Sequence, residues 1–440
     1  MSGSPQEVLT GLYRAGVEAA AAGPALTAAL ERGPDSKGRV WILAVGKAAE
    51  AMASAAVAFL ATRNRAPAGG VVVGPDRAAT LANLASVVGD HPFPGNGSLA
   101  AAGAIGELAE LTRAGDEAWV LLSGGATSLA AAPVPGISPA DLFALYRLLL
   151  SSGLDIVRMN TVRKRFSRWG AGRLAVALHP ARVRTFIVSD VVGDDVAAIA
   201  SGPCLADPAR AADVRGLLQE GGLWEQVPQS LKDHLAQAEN DPSLETPKPG
   251  HRAFDEARFE IVASNRLALE GVARMAAELG LAVEVLGEPL SGEAAAAGRR
   301  LAAALLEASA GPVCLIAGGE TVVKIASDNT GSGGRCQELA LAAARELASA
   351  GSSTATLLAA GTDGRDGPTD AAGAVVDGAT WSRMIEAGRD PGQDLTNHNS
   401  YAALASAGAL LKTGPTGTNV MDLAIGLRPS ATAVAETTTG

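Results

Sequence analysis

Short apolar runs, each closed by glycine or a small polar residue and followed by helical spacing, recur along this chain. Val40–Val45 is apolar throughout and ends at Gly46-Lys47, after which residues 48–60 read as a helix. Residues 70–73 and 86–88 predict two further short strands, and 99–111 a helix. Residues 118–122 form a buried-type strand ending at Ser123-Gly124-Gly125; residues 141–150 begin a helical stretch; residues 183–188 lead into Ser189-Asp190. Apolar runs without alternation, separated by helices, suit parallel strands covered on both faces. A doubly wound α/β sheet is the economical reading.

Upstream of these runs, residues 6–30 carry apolar positions at helical spacing and predict a helix. Between residues 224 and 257 Gln, Asn, Asp, Pro and Lys replace Ala and Leu, and 239–249 is the best linker candidate. Strand–helix alternation then resumes at 259–263, 266–279, 282–286, 293–308, 313–317, 337–348 and 354–360. The expectation is two α/β domains, 1–245 and a smaller 246–440, with residues 436–440 frayed.

Composition narrows the class. A chain of 440 residues exceeds one ordinary core, and 48% hydrophobic against 19% charged residues suits a well-filled interior. Aromatics are only 3%, so Ala, Leu, Val and Gly must build that interior. The net charge of −10 excludes a global basic field for nucleic acid or anionic membrane. Cys204, Cys314 and Cys336 stand far apart, which fits neither a disulfide framework nor a zinc site. No basic stretch followed by an apolar run opens the chain and no membrane-length apolar segment follows, so cytoplasm is the expected location.

Ligands of open parallel sheets bind beyond the carboxyl ends of strands, so the residues after each run matter most. Lys47, between a strand and a helix start, is either an anion holder or an ordinary surface lysine; no Walker A loop occurs. Ser123-Gly124-Gly125-Ala126-Thr127-Ser128 is either a phosphate-binding nest or a tight turn. Asp190, Asp194 and Asp195 offer hard oxygens for Mg²⁺, or cap the next turn. In the second half, Glu320, Arg335 and Asp363 sit in glycine-rich loops at the expected sheet edge. Arg158, Arg163, Lys164, Arg165, Arg168 and Arg173 share one segment with no acidic residue. That segment is either a solvated face or a site for an anionic substrate, with Asn160 and Thr161 as polar donors. His91 is a catalytic or a structural histidine. The Gly95-to-Ala100 match to a dinucleotide fingerprint follows Phe93-Pro94 rather than a strand.

Together the stretches AVGKAAEAM, LLSGGATSL, NTVRKRFS, VSDVVGDDVAAIASGP, AGGETVV, GGRCQELALA, AGTDGRDGPTDAAGA and TGPTGTNVMDL resemble the class II glycerate 2-kinases, whose C-terminal part is the MOFRL domain. The resemblance runs from about residue 46 to 423 in the family's order. It implies a Rossmann-like N-terminal domain, a smaller C-terminal domain, an active site in the cleft between them, and phosphorylation of D-glycerate at the 2-hydroxyl by ATP. Lys47 and Arg335 fall on the family's catalytic cations. One departure stands beside the second: Cys336 occupies the place of the family's usual Asn in GGRNQEL. On this basis Ser123, Gly124, Gly125 and Ser128, with Glu320 and Asp363, are expected at the nucleotide. Asn160, Arg163 and Lys164 are expected at glycerate, and Asp190 or Asp195 at Mg²⁺, with Asp190, Glu320 or Asp363 taking the hydroxyl proton. Partners reduce to ATP and glycerate, with self-association left open. The alternative is a hydroxypyruvate reductase with a nicotinamide cofactor, a label relatives have carried.

Overall fold

The computed structural model describes residues 3–197, 199–308, 312–325, 331–352 and 354–428; the end expected to fray lies outside them. Two units divide the chain. One is Ala22–Val262, and the other joins Met1–Ala21 to Ala263–Gly440.

The N-terminal unit is built on β1 (Val40–Val45), β2 (Gly69–Gly74), β3 (Leu84–Val88), β4 (Glu117–Leu122), β5 (Arg182–Val188) and β6 (Arg258–Ala263). Their order is β3-β2-β1-β4-β5-β6, and the β1–β2, β2–β3, β1–β4 and β4–β5 pairs are parallel. This is the doubly wound order, and its direction reverses between β1 and β4. Every residue of β1 and β4 is buried, as the apolar runs 40–45 and 118–122 require, and the one acid, Glu117, accepts from Trp119 Nε1 at 2.8 Å. With few aromatics available, Trp119 is packed edge-on between Phe59 and Phe186 at 6.0 and 6.5 Å.

A helical cluster completes this unit, and it corrects the linker expectation. Helices Pro139–Leu150, Ile156–Phe166, Ala211–Glu220 and Gln229–Ala238 share one apolar core that includes Leu142, Phe166, Leu218 and Leu231. The polar stretch after it is tied down by its charges. Glu245 pairs with the fully buried Arg165 at 2.6 Å, and Pro247 O accepts from Asp207 N. The division therefore falls after Val262, where 245/246 was expected.

The opening helix is also two helices, Pro5–Ala19 and Ala22–Arg32, one in each unit. Pro24 has no N–H to give the carbonyl of Ala20, four residues earlier. Thr418 Oγ1 donates to that carbonyl instead, at 2.6 Å. Proline in a first turn is well tolerated, so the second helix starts just ahead of it.

The C-terminal unit carries β7 (Ala282–Val285), β8 (Val313–Gly319), β9 (Thr356–Gly361), β10 (Gly373–Asp377), β11 (Leu410–Leu411) and β12 (Asp422–Arg428) in the order β11-β10-β9-β12-β8-β7. Among the described strands of this sheet only β7 and β8 run parallel; β12 lies antiparallel between β8 and β9. Its amino end thus lies beside the carboxyl ends of both neighbours, with Asp422 opposite Gly319 and Gly361. Helix Arg335–Ser349 buries residues 336–344 without a break, so it runs through the core rather than over it. Helix Pro5–Ala19 packs here, its Tyr13 hydroxyl donating to Gly361 O at 2.8 Å.

Candidate active site

In the N-terminal unit the switch point between β1 and β4 brings Gly46-Lys47 beside Ser123-Gly124-Gly125. Gly46 has φ +131°, and a Cβ there would lie 2.2 Å from Ser123 Oγ, so only glycine fits. Lys47 N donates to Gly124 O at 2.9 Å, and Ala48 N to Ser123 Oγ at 3.0 Å. The Ser123 hydroxyl is buried and ties two loops together by accepting from Ala48 N, which leaves its proton to offer a ligand. Gly125, at φ +84°, turns the chain into the short helix Ala126–Leu129. Neither Gly124 nor Gly125 gives its N–H to another group among the described residues, as an anion nest requires.

Three titratable groups meet at this edge. Burial, and then the charge of exposed Lys47, hold His91 below its ordinary value. Burial raises the Asp190 carboxyl, while Lys47 pulls it the other way. His91 also packs against Gly125, within 3.0 Å of where a Cβ would stand. Asp195 Oδ1 accepts from Ala197 N at 2.9 Å, so one of its oxygens caps the following turn. Among the described residues no three acidic, His or Cys side chains cluster as a ready metal cage.

The basic segment is largely framework. Lys164 pairs with buried Asp207 at 2.8 Å, Arg165 with Glu245, and Arg173 donates to the carbonyls of Lys164, Arg165 and Ser167. Arg158 faces Asp155, and Arg168 lies over the Trp169 ring. Lys164, expected at the substrate carboxylate, is thus already neutralised. Arg163 lies over the Tyr146 ring, its guanidinium lowered by burial, and Asn160 is nearly buried. The dinucleotide-like start of helix Asn96–Leu111 is filled by the chain itself: Asp90 Oδ2 accepts from Ser98 N at 3.0 Å. A pyrophosphate would meet a carboxylate there.

In the C-terminal unit Arg335 opens the central helix. Its Nε and Nη2 donate to Asp422 Oδ2 and Oδ1 at 2.6 and 2.9 Å, and its Nη1 to Glu320 Oε1 at 2.5 Å. Burial by itself pushes this guanidinium down, but Asp422 and Glu320 outweigh it and hold it above its usual value. Asp366 takes the helix's first free N–H groups, from Cys336 at 3.1 Å and Gln337 at 2.8 Å. Burial pushes the Asp366 carboxyl up to about 6 against those two bonds. Cys336 turns inward, its thiol kept protonated by burial and then by Asp422 and Asp366. Asp363 Oδ1 accepts from Arg365 N, an Asx turn that shapes the loop after β9. Asp422, Asp366 and Tyr13 were missed by sequence reasoning, because their partners lie tens to hundreds of residues away.

A family model described as a domain of unknown function, DUF4147, matches residues 8–236, and the MOFRL family model matches residues 313–422. The glycerate 2-kinase of Pyrococcus horikoshii is 38% identical over 400 residues, covering 89% of this chain and 88% of that one. The chain belongs to the glycerate kinase family. The crystal structure of a Thermotoga maritima glycerate kinase matches with a TM-score of 0.85 at 36% identity, covering 96% of this chain and 99% of the other. A protein of Agrobacterium vitis named provisionally as a hydroxypyruvate reductase is 37% identical over 426 residues, 96% of this chain and 94% of its own. That name thus travels within the glycerate kinase family, and the one dinucleotide-like stretch of this sequence has its helix start filled by Asp90. Among the described residues of this family member, no helix is long and apolar enough to cross a membrane.

Proposed function

We propose that this chain transfers the terminal phosphoryl group of ATP to the 2-hydroxyl of D-glycerate, in the cytoplasm. The observation that carries the proposal is the switch-point edge of the N-terminal unit. There a lysine, a half-buried carboxyl and two unengaged glycine N–H groups meet beyond β1, β4 and β5. Phosphoryl transfer asks a protein mainly for positioning and for charge where phosphate oxygens develop it. Gly124 and Gly125, with the hydroxyls of Ser123 and Ser128, cradle nucleotide phosphates. Lys47 and Arg335 neutralise charge on the transferring group. Arg163 and Asn160 take the glycerate carboxylate, and Lys164 supports them from its pair with Asp207.

Asp190 and Asp195 carry the hard oxygens that Mg²⁺ favours. One or two protein carboxylates would suffice to hold Mg²⁺. Bound there, it would neutralise phosphate oxygens. Asp190 and Asp363 are the remaining acceptors for the hydroxyl proton, since Glu320 already faces Arg335.

The test is NMR of the product formed from ATP, Mg²⁺ and D-glycerate. The expected products are 2-phosphoglycerate and ADP. A 3-phosphoglycerate signal overturns the assigned position, and NADH-dependent reduction of hydroxypyruvate without glycerate phosphorylation overturns the reaction class.

A further inference from the structure

Resting on the kinase reading above, we infer that Asp422 is a positioning residue: it fixes one edge of the Arg335 guanidinium so that the other edge meets the phosphoryl group. Asp422 is 3% exposed and stands at the amino end of β12. Because β12 runs antiparallel between β8 and β9, it delivers this acid to the edge where the carboxyl ends of those two strands lie. The residue is held from behind. Its backbone carbonyl accepts from Asn265 Nδ2 at 3.0 Å, and Asn265 also donates to Val420 O. Both carboxylate oxygens then face Nε and Nη2 of Arg335 in a two-point fork. Such a fork fixes a planar cation in direction as well as in distance.

The partner on the other edge differs in kind. Glu320, which meets Nη1, has a side chain 45% exposed, against 4% for Asp422. An exposed carboxylate on a long side chain can yield its place to an anionic oxygen of a ligand; a buried one cannot move aside without leaving its charge uncompensated. Arg335 therefore has one permanent edge and one exchangeable edge. Asp366 sets the backbone of the same residue's helix by taking the N–H groups of Cys336 and Gln337. Backbone and side chain of Arg335 are thus fixed by two different buried acids.

Free guanidinium ion provides the test, because Arg335→Ala leaves a vacancy of its size beside Asp422. Turnover of Arg335→Ala should fall at least about a hundredfold and recover saturably with added guanidinium. Arg335→Ala/Asp422→Asn should show no recovery. In the otherwise native chain, Asp422→Asn should lower kcat by about tenfold or more while leaving KM for ATP and glycerate within a few fold, the pattern of a contact made in the transition state. Asp422→Glu, which keeps the charge but shifts the fork, should lose less than Asp422→Asn; it also serves if Asp422→Asn fails to fold. A merely stabilising acid would lower the melting temperature without this kcat loss. Native kcat in a folded Asp422→Asn, or equal guanidinium recovery with and without Asp422, overturns the inference. A native chain inert toward ATP and glycerate sinks the kinase reading and the functional half of this inference. A guanidinium-dependent rise in the melting temperature of Arg335→Ala, absent from the double variant, then still decides whether Asp422 is the anchor.

Discussion

Lys47 and Arg335 both stand at or just before a helix start, yet the chain holds them in opposite ways. Lys47 is exposed and fixed through its backbone, whereas Arg335 is fixed through its side chain by a buried acid. Lys47→Ala should cut turnover at least about a hundredfold with an unchanged melting temperature, measured by coupled assay and thermal denaturation. Arg335→Ala should cost stability as well, roughly 3–5 kcal/mol by denaturant titration, because it strands Asp422 without a partner. Adding Asp422→Asn should return most of that loss without returning activity. Lys47 was legible because it follows an apolar run and a glycine, and Arg335 because it closes a glycine-rich loop before a helix. Their acidic partners were not: Asp422 lies 87 residues from Arg335, and Lys164 meets Asp207 only through the fold. A charge run shows its sign in sequence, but not which of its members are already neutralised.

Among elements, the parallel strands of the N-terminal unit could be read directly, since burial on both faces demands unbroken apolar runs. Strands β10 to β12 could not. Gly373–Asp377 and Asp422–Arg428 mix Gly, Ala and charged ends, and their strand character comes from pairing with neighbours already in place. Polar composition misled at 239–249 for a related reason, because Glu245 belongs to an internal ion cluster. Burial by itself would raise its carboxyl; the Ala211 N–H, then Lys248 and Arg165, outweigh that and hold it at about 2, below its usual 4.5. The cluster's stabilisation is therefore complete above pH 4.5 and is lost as pH falls toward 2. It amounts to roughly 3 kcal/mol at about 1.4 kcal/mol per unit. Glu245→Gln should flatten the acid limb of stability against pH; an unchanged limb would remove Glu245 as its source. At the β1 turn, Gly46→Ala should destabilise by about 1–3 kcal/mol or more, read by denaturant melts, since its Cβ would overlap Ser123.

At the scale of the molecule, two domains were legible and their membership was not. The first helix belongs with the C-terminal unit because Leu9, Leu12 and Tyr13 bury there, against helix Asn265–Glu278 and β12. Residues 22–262 expressed alone should melt cooperatively. Residues 263–440 alone should aggregate, and recover when a 1–21 peptide is supplied, as followed by circular dichroism and size-exclusion chromatography.

Such membership imposes an order on birth. A ribosome makes helix Pro5–Ala19 before the whole N-terminal unit, and its docking partners after it. At about 5–20 residues per second the interval is on the order of ten seconds or more. Through that time a greasy, amphipathic segment trails from the nascent chain with nothing to cover it. The capping box of Ser4 and Glu7 favours its helical form while it waits.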